Sequence, residues 1–78
     1  MREKTLKLIV TFHTTTAAMA MEKACAEAGT PGRLIPVPRE ITAGCGMSWS
    51  TKPEVRAQVE ETAKKYGIET AGYYELIV

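Results

Sequence analysis

The chain has 78 residues, ten Lys+Arg against nine Asp+Glu for a formal net charge of +1, one histidine and two cysteines. This length points to one domain, residues 1–78, burying roughly 60% of the surface its unfolded chain exposes, so chemistry is expected at a loop, an edge or a groove shared with a partner. The balanced, scattered charge gives no support for nucleic-acid binding. Two cysteines without a CxxC pair are too few for a disulfide framework, and one histidine leaves no dedicated metal site or cofactor set.

Arg2, Glu3 and Lys4 precede a short apolar run ending at Val10, with no cleavage-site pattern and no span long enough for a bilayer. The expectation is a cytoplasmic protein with free thiols and no membrane contact. Residues 6–13 alternate Leu6, Leu8, Val10 and Phe12 with Lys7, Ile9, Thr11 and His13, which predicts a strand, central because Ile9 makes the second face partly apolar too. Thr14, Thr15 and Thr16 supply N-cap hydroxyls. A helix over 17–28 follows, with Ala17, Ala18, Met21, Ala24, Cys25 and Ala28 on its inward stripe and Gly29 as its stop. Cys25, inside that stripe, is assigned to packing.

A second strand over 33–37 carries Pro36 and is followed by Pro38, neither of which has an amide to donate. It therefore belongs at a sheet edge. A third strand is predicted over 47–50. Thr51, Lys52, Pro53 and Glu54 read as a capping box opening a second helix that runs to about Tyr66, with Val55, Val59, Ala63 and Tyr66 inward and Gly67 as its stop. Trp49 and Tyr73 are assigned to core or sheet-face packing. A fourth strand over 73–78 ends in Leu76, Ile77 and Val78 without a blunting charge or proline, so pairing with a second copy into a homodimer is expected there.

The order β-α-β-β-α-β in so short a chain predicts an α+β, ferredoxin-like split sandwich: a four-stranded antiparallel sheet, order 4-1-3-2, with both helices on one face. That order puts the proline-bearing second strand at an edge, as the prolines independently require. Between the second and third strands lies the densest concentration of special residues in the chain, 36–46, with two prolines, the Arg39 and Glu40 pair, and Gly44-Cys45-Gly46. A thiol between two glycines has little side-chain bulk beside it, and Cys45 is the leading functional candidate. The topology sets its loop at the same end as His13 and the start of the first helix, where first-turn amides and the helix dipole stabilise a thiolate. His13 is a candidate base or cationic partner for Cys45, and Arg39 a candidate anion contact.

The run Pro36-Val-Pro-Arg-Glu-Ile-Thr-Ala-Gly-Cys45-Gly46-Met, after a strand ending in Phe12-His-Thr-Thr and a helix with Ala18 and Glu22-Lys23, resembles the small selenium/sulfur carrier protein-like family. The resemblance spans almost the whole chain. It implies that Cys45 accepts sulfur or selenium as a persulfide or selenosulfide from a cysteine desulfurase-like donor and relays it to a downstream acceptor protein, acting as a carrier rather than a turnover enzyme. Thr14, Thr15, Gly44 and Gly46 then supply backbone around the bound atom. The chain lacks the Cys-Pro-x-Pro helix start of TusA-like carriers, so their mechanism does not transfer directly. Two other readings stay open: a non-catalytic interaction or regulatory module on a ferredoxin-like fold, and a soft-metal site at Cys45 completed by a second protomer.

Overall fold

A computed structural model describes residues 5–39, 41 and 46–77. The elements are β1 (Leu6–Thr11), α1 (Thr15–Ala28), β2 (Arg33–Pro36), β3 (Met47–Thr51), a single 3-10 turn (Pro53–Val55), α2 (Arg56–Lys65) and β4 (Gly72–Ile77). Every strand pairing is antiparallel, and the sheet order is β2-β3-β1-β4, which is the expected 4-1-3-2 counted from the other edge.

Alternation along β1 decides which face is covered. Leu8, Val10 and Phe12 project together and meet Ala18, Met21 and Cys25 of α1, Val59 and Ala63 of α2, and Trp49 of β3. Both helices thus pack on one face, and the chain has the ferredoxin-like α+β architecture. Burying each large aliphatic or aromatic side chain in this layer contributes about 1.5–3 kcal/mol. On the opposite face Ile9 pairs with Ser50 and Thr11 with Ser48, and all four are also buried. Small side chains in the middle strands make this possible, with half-exposed Tyr74 standing beside them opposite Ile9. The Tyr74 ring lies along its strand over Gly72, where an added Cβ would come within 3.0 Å of it.

Among the described residues β2 pairs only with β3, so Pro36 leaves no ladder bond unmade. Strand β1 stops at Thr11, two residues short of the expected end, because Phe12 turns into the core; the Ala71 N–H closes the ladder on the Thr11 carbonyl at 2.7 Å. The fourth strand begins at Gly72, and its expected last residue, Val78, lies outside the described residues.

In α1 the Thr14 hydroxyl accepts from the Ala17 N–H at 3.1 Å, so the helix starts at Thr15, two residues before the expected Ala17. Gly29 ends it at φ 75°, a left-handed conformation that glycine adopts without penalty. Ala18, Met21, Ala24 and Cys25 are buried as expected, whereas Ala28 is exposed.

The second helix departs from expectation at its start. Thr51 is no cap: it is the last residue of β3, opposite Leu8, and its hydroxyl donates to the Pro31 carbonyl at 2.8 Å. With Thr51 held in the sheet, the capping box does not form, and Pro53–Val55 makes a 3-10 turn closed by the Val55 N–H on the Lys52 carbonyl at 3.1 Å. The inward residues of α2 are Val59, Thr62 and Ala63. Tyr66, expected inside, is exposed, and Thr62 takes the buried place instead. The Thr62 hydroxyl donates to the Gln58 carbonyl at 2.8 Å and lies 2.8 Å from the Thr30 hydroxyl. A hydroxyl has one proton, so Thr30 is the donor to Thr62, and this chain ties the segment after α1 to α2.

Trp49 is in the core, as expected, and Tyr73 packs partly buried against it. Gly32, at φ 136°, presses its bare Cα against the indole: an added Cβ would lie 2.5 Å from Trp49 Nε1.

Candidate functional site

Residues 36–46 connect the edge strand β2 to β3. Pro36 is paired with Met47, and one step further the Val37 N–H donates to the Gly46 carbonyl at 3.0 Å. Since Pro36 and Pro38 have no amide, Val37 carries the one backbone donor between them, and it closes the base of the loop. Inside the loop, the Ile41 N–H donates to the Pro38 carbonyl at 2.9 Å, a four-residue turn that opens at Pro38 with Arg39 at its second position. The Ile41 side chain is 7% exposed. This burial is not expected from the sequence pattern, although Ile41 is the one large aliphatic residue between Arg39 and Gly46.

Of the expected site residues, Arg39 is exposed beside that turn, and Gly46 is exposed at φ 92°. Gly44 and Cys45 lie outside the described residues, as does Glu40, the ion-pair candidate for Arg39. His13 is exposed just beyond β1, Thr14 caps α1, and Thr15 is its first residue. Register brings the two groups to one end of the sheet. Thr11 is opposite Ser48, so His13 lies two residues beyond that pair and Gly46 two residues before it. At the N-terminus of α1 the Thr14 hydroxyl satisfies the Ala17 amide. The preceding first-turn amides have no partner within the helix and point out of its positive end.

The other thiol is elsewhere and chemically quiet. Cys25 is 1% exposed within the helix-sheet core, and burial pushes its thiol pKa up to about 11. A thiol held neutral in apolar surroundings is a poor nucleophile.

The family described as "Putative Se/S carrier protein-like" matches residues 7–75. The chain belongs to this family. The matched range takes in every strand and helix from β1 into β4 and the whole connection between β2 and β3. Neither the curated proteins nor the solved structures include a significant match to the carrier-like chain. Among the described residues, no helix is long and apolar enough to cross a membrane.

Proposed function

We propose that the protein carries sulfur or selenium on Cys45, and the observation that carries this reading is the family match over residues 7–75. The Cys45 thiolate attacks the outer sulfur of a persulfide on a cysteine desulfurase-like donor. The donor's S–S bond breaks, its cysteine leaves as a thiolate, and the outer sulfur with its proton becomes a persulfide on Cys45. No external oxidant or reductant enters, because the transferred sulfur keeps its oxidation state. The same exchange with selenium gives a selenosulfide, and a second exchange hands the atom to a downstream acceptor protein.

Three features support the assignment of Cys45. Its flanking glycines leave the sulfur approachable by a partner's active site. The loop base is fixed at Val37 and Gly46, while the start of α1 and His13 belong to the same end of the sheet. The chain's other cysteine, Cys25, is buried with a raised pKa. Thr14, Thr15, Gly44 and Gly46 frame the thiolate in this reading, with His13 and Arg39 as electrostatic helpers. The compartment is the cytoplasm, where reduced thiols persist. A homodimer forms through β4, which is an edge strand whose Ile77 is 65% exposed.

The test is intact mass after incubation with a cysteine desulfurase and either cysteine or selenocysteine. A reductant-labile adduct on the wild type and on Cys25→Ser, absent from Cys45→Ser, is the expected result. Equal adducts on wild type and Cys45→Ser sink the reading.

A further inference from the structure

A cleft of about 390 Å³ opens at the end of the sheet opposite the β2–β3 loop. Its walls carry Lys7 of β1, Arg33 of β2 and Lys52 just after β3, with Thr5 and Ser50 between them. Register explains the convergence. Ser50 pairs with Ile9 on one side and Arg33 on the other, so Arg33 and Ser50 share the face of Ile9 and Lys7. Leu8 opposite Thr51 sets Lys7 and Lys52 next to one another across the strand ends.

The charge there is out of proportion to the chain. Three of the ten basic residues line this cleft. Among the described residues, no acidic side chain lines it. Like charges brought together without a counter-ion repel one another, and low-dielectric walls strengthen the field they project. Ser50 stands among them 9% exposed. The wall facing the cations is fixed. Thr51 holds the Pro31 carbonyl at 2.8 Å, and Gly32 is pressed on Trp49 so closely that no side chain fits there.

We propose that this cleft binds a small phosphate-bearing molecule, its oxyanion set among Lys7, Arg33 and Lys52 with Ser50 as a neutral donor. The chemistry selects the class. Three cations approaching from two strands and from the turn after a third match a multiply charged group, whereas a single carboxylate leaves two of them unneutralised. The Arg33 guanidinium presents the planar fork that suits phosphate oxygens bidentately, and the two ammonium groups act as point charges. A volume near 390 Å³ lies within the range of small-ligand sites and holds a diphosphate with part of an attached group. The cleft is separate from the loop of Cys45, so the proposal stands whether or not that cysteine carries sulfur.

Amide chemical-shift titration of the isotopically labelled full chain at low salt tests it, with inorganic phosphate, pyrophosphate and ADP in separate arms. Saturable shifts confined to the amides around Lys7, Gly32, Arg33, Ser50 and Lys52 are expected with pyrophosphate and ADP, weaker with phosphate. Tighter binding of ADP than of pyrophosphate identifies a nucleotide-type ligand, and equal binding a bare diphosphate. Arg33→Gln and Lys52→Gln each weaken binding about tenfold or more, the change expected from removing one charge-assisted contact. Lys64→Gln, on the last turn of α2 with the same change in charge, leaves it unaltered. Lys52 lies outside the strands, so its variant remains informative if Arg33→Gln perturbs the sheet. Absence of saturable shifts, shifts spread over the whole surface, or equal weakening by Lys64→Gln overturns the proposal.

Discussion

The Val37 N–H donates to the Gly46 carbonyl at 3.0 Å, one step past the last strand pair of the β2–β3 hairpin. Gly46 holds its side of this bond at φ 92°, with no atom of the described residues within 4 Å of where a Cβ would be. Gly46→Ala is therefore a purely conformational test. It is expected to cost about 1 kcal/mol of stability in urea titration, the penalty for a left-handed L-residue.

Gly32 has both burdens. Its φ is 136°, and an added Cβ would meet Trp49 Nε1 at 2.5 Å and the Ser50 carbonyl at 2.8 Å. The indole is wedged in the core and the carbonyl is backbone, so neither yields cheaply. Gly32→Ala is expected to cost about 3 kcal/mol or more, from overpacking added to backbone strain. Equal urea midpoints for the Gly32 and Gly46 variants contradict the close contact with Trp49.

The two helix starts make a matched pair of opposite outcomes. Thr14 accepts from the Ala17 amide, so Thr14→Ala is expected to cost about 1 kcal/mol. Glu54 sits in the 3-10 turn, which has no side-chain cap, so Glu54→Ala is expected to stay within about 0.5 kcal/mol. Thermal melts of both variants check this, and a large loss at Glu54 with none at Thr14 contradicts the observed caps.

That contrast shows what the sequence makes legible. Order of elements, edge position of β2, the central place of β1 and the packing of Cys25 all follow from patterns local to a few residues: prolines without amides, a doubly apolar strand, a stripe of alanines. Thr51 reads as a cap in the sequence because its true partner is remote. A hydroxyl suited to capping the next turn is instead used across the sheet on Pro31, and no local pattern reveals that partner. Tyr66 and Thr62 were exchanged for the same reason, since the Thr30 hydroxyl that makes Thr62 a good buried residue comes from another segment. At the site, periodicity gave the end of the sheet where the loop must be. The burial of Ile41 has no local signal, and the gathering of Lys7, Arg33 and Lys52 needs the register of three strands.

The Thr30–Thr62 bond gives a coupling measurement. Thr62→Val leaves the buried Thr30 hydroxyl without its acceptor, and Thr30→Val removes the donor from Thr62. Each single change is expected to cost about 1–2 kcal/mol. The double variant is expected to cost less than the sum by about 0.5 kcal/mol or more, because two valines leave no orphaned hydroxyl. Strict additivity in urea denaturation contradicts the bond.

The last prediction concerns the thiol that the carrier reading leaves out. Cys25 is 1% exposed, and desolvation lifts its pKa from 9.0 to about 11. Below pH 9 the thiol is neutral in both the folded and the unfolded chain, so its burial contributes fully to stability. Between pH 9 and 11 the unfolded thiol gives up its proton while the folded one keeps it, and stability falls with rising pH by at most about 1.4 kcal/mol per unit. Cys25→Ala lacks this linkage. The wild type is expected to be the more stable of the two at pH 8, by the value of a filled core position, and to lose part of that lead by pH 10.5. Parallel stability curves for the two proteins across this range mean that Cys25 titrates as an ordinary thiol. Alkylation in the native state checks the same property independently: Cys25 is expected to remain unlabelled at pH 8 while Cys45 reacts, and labelling of both at equal rates removes the ground for setting Cys25 aside.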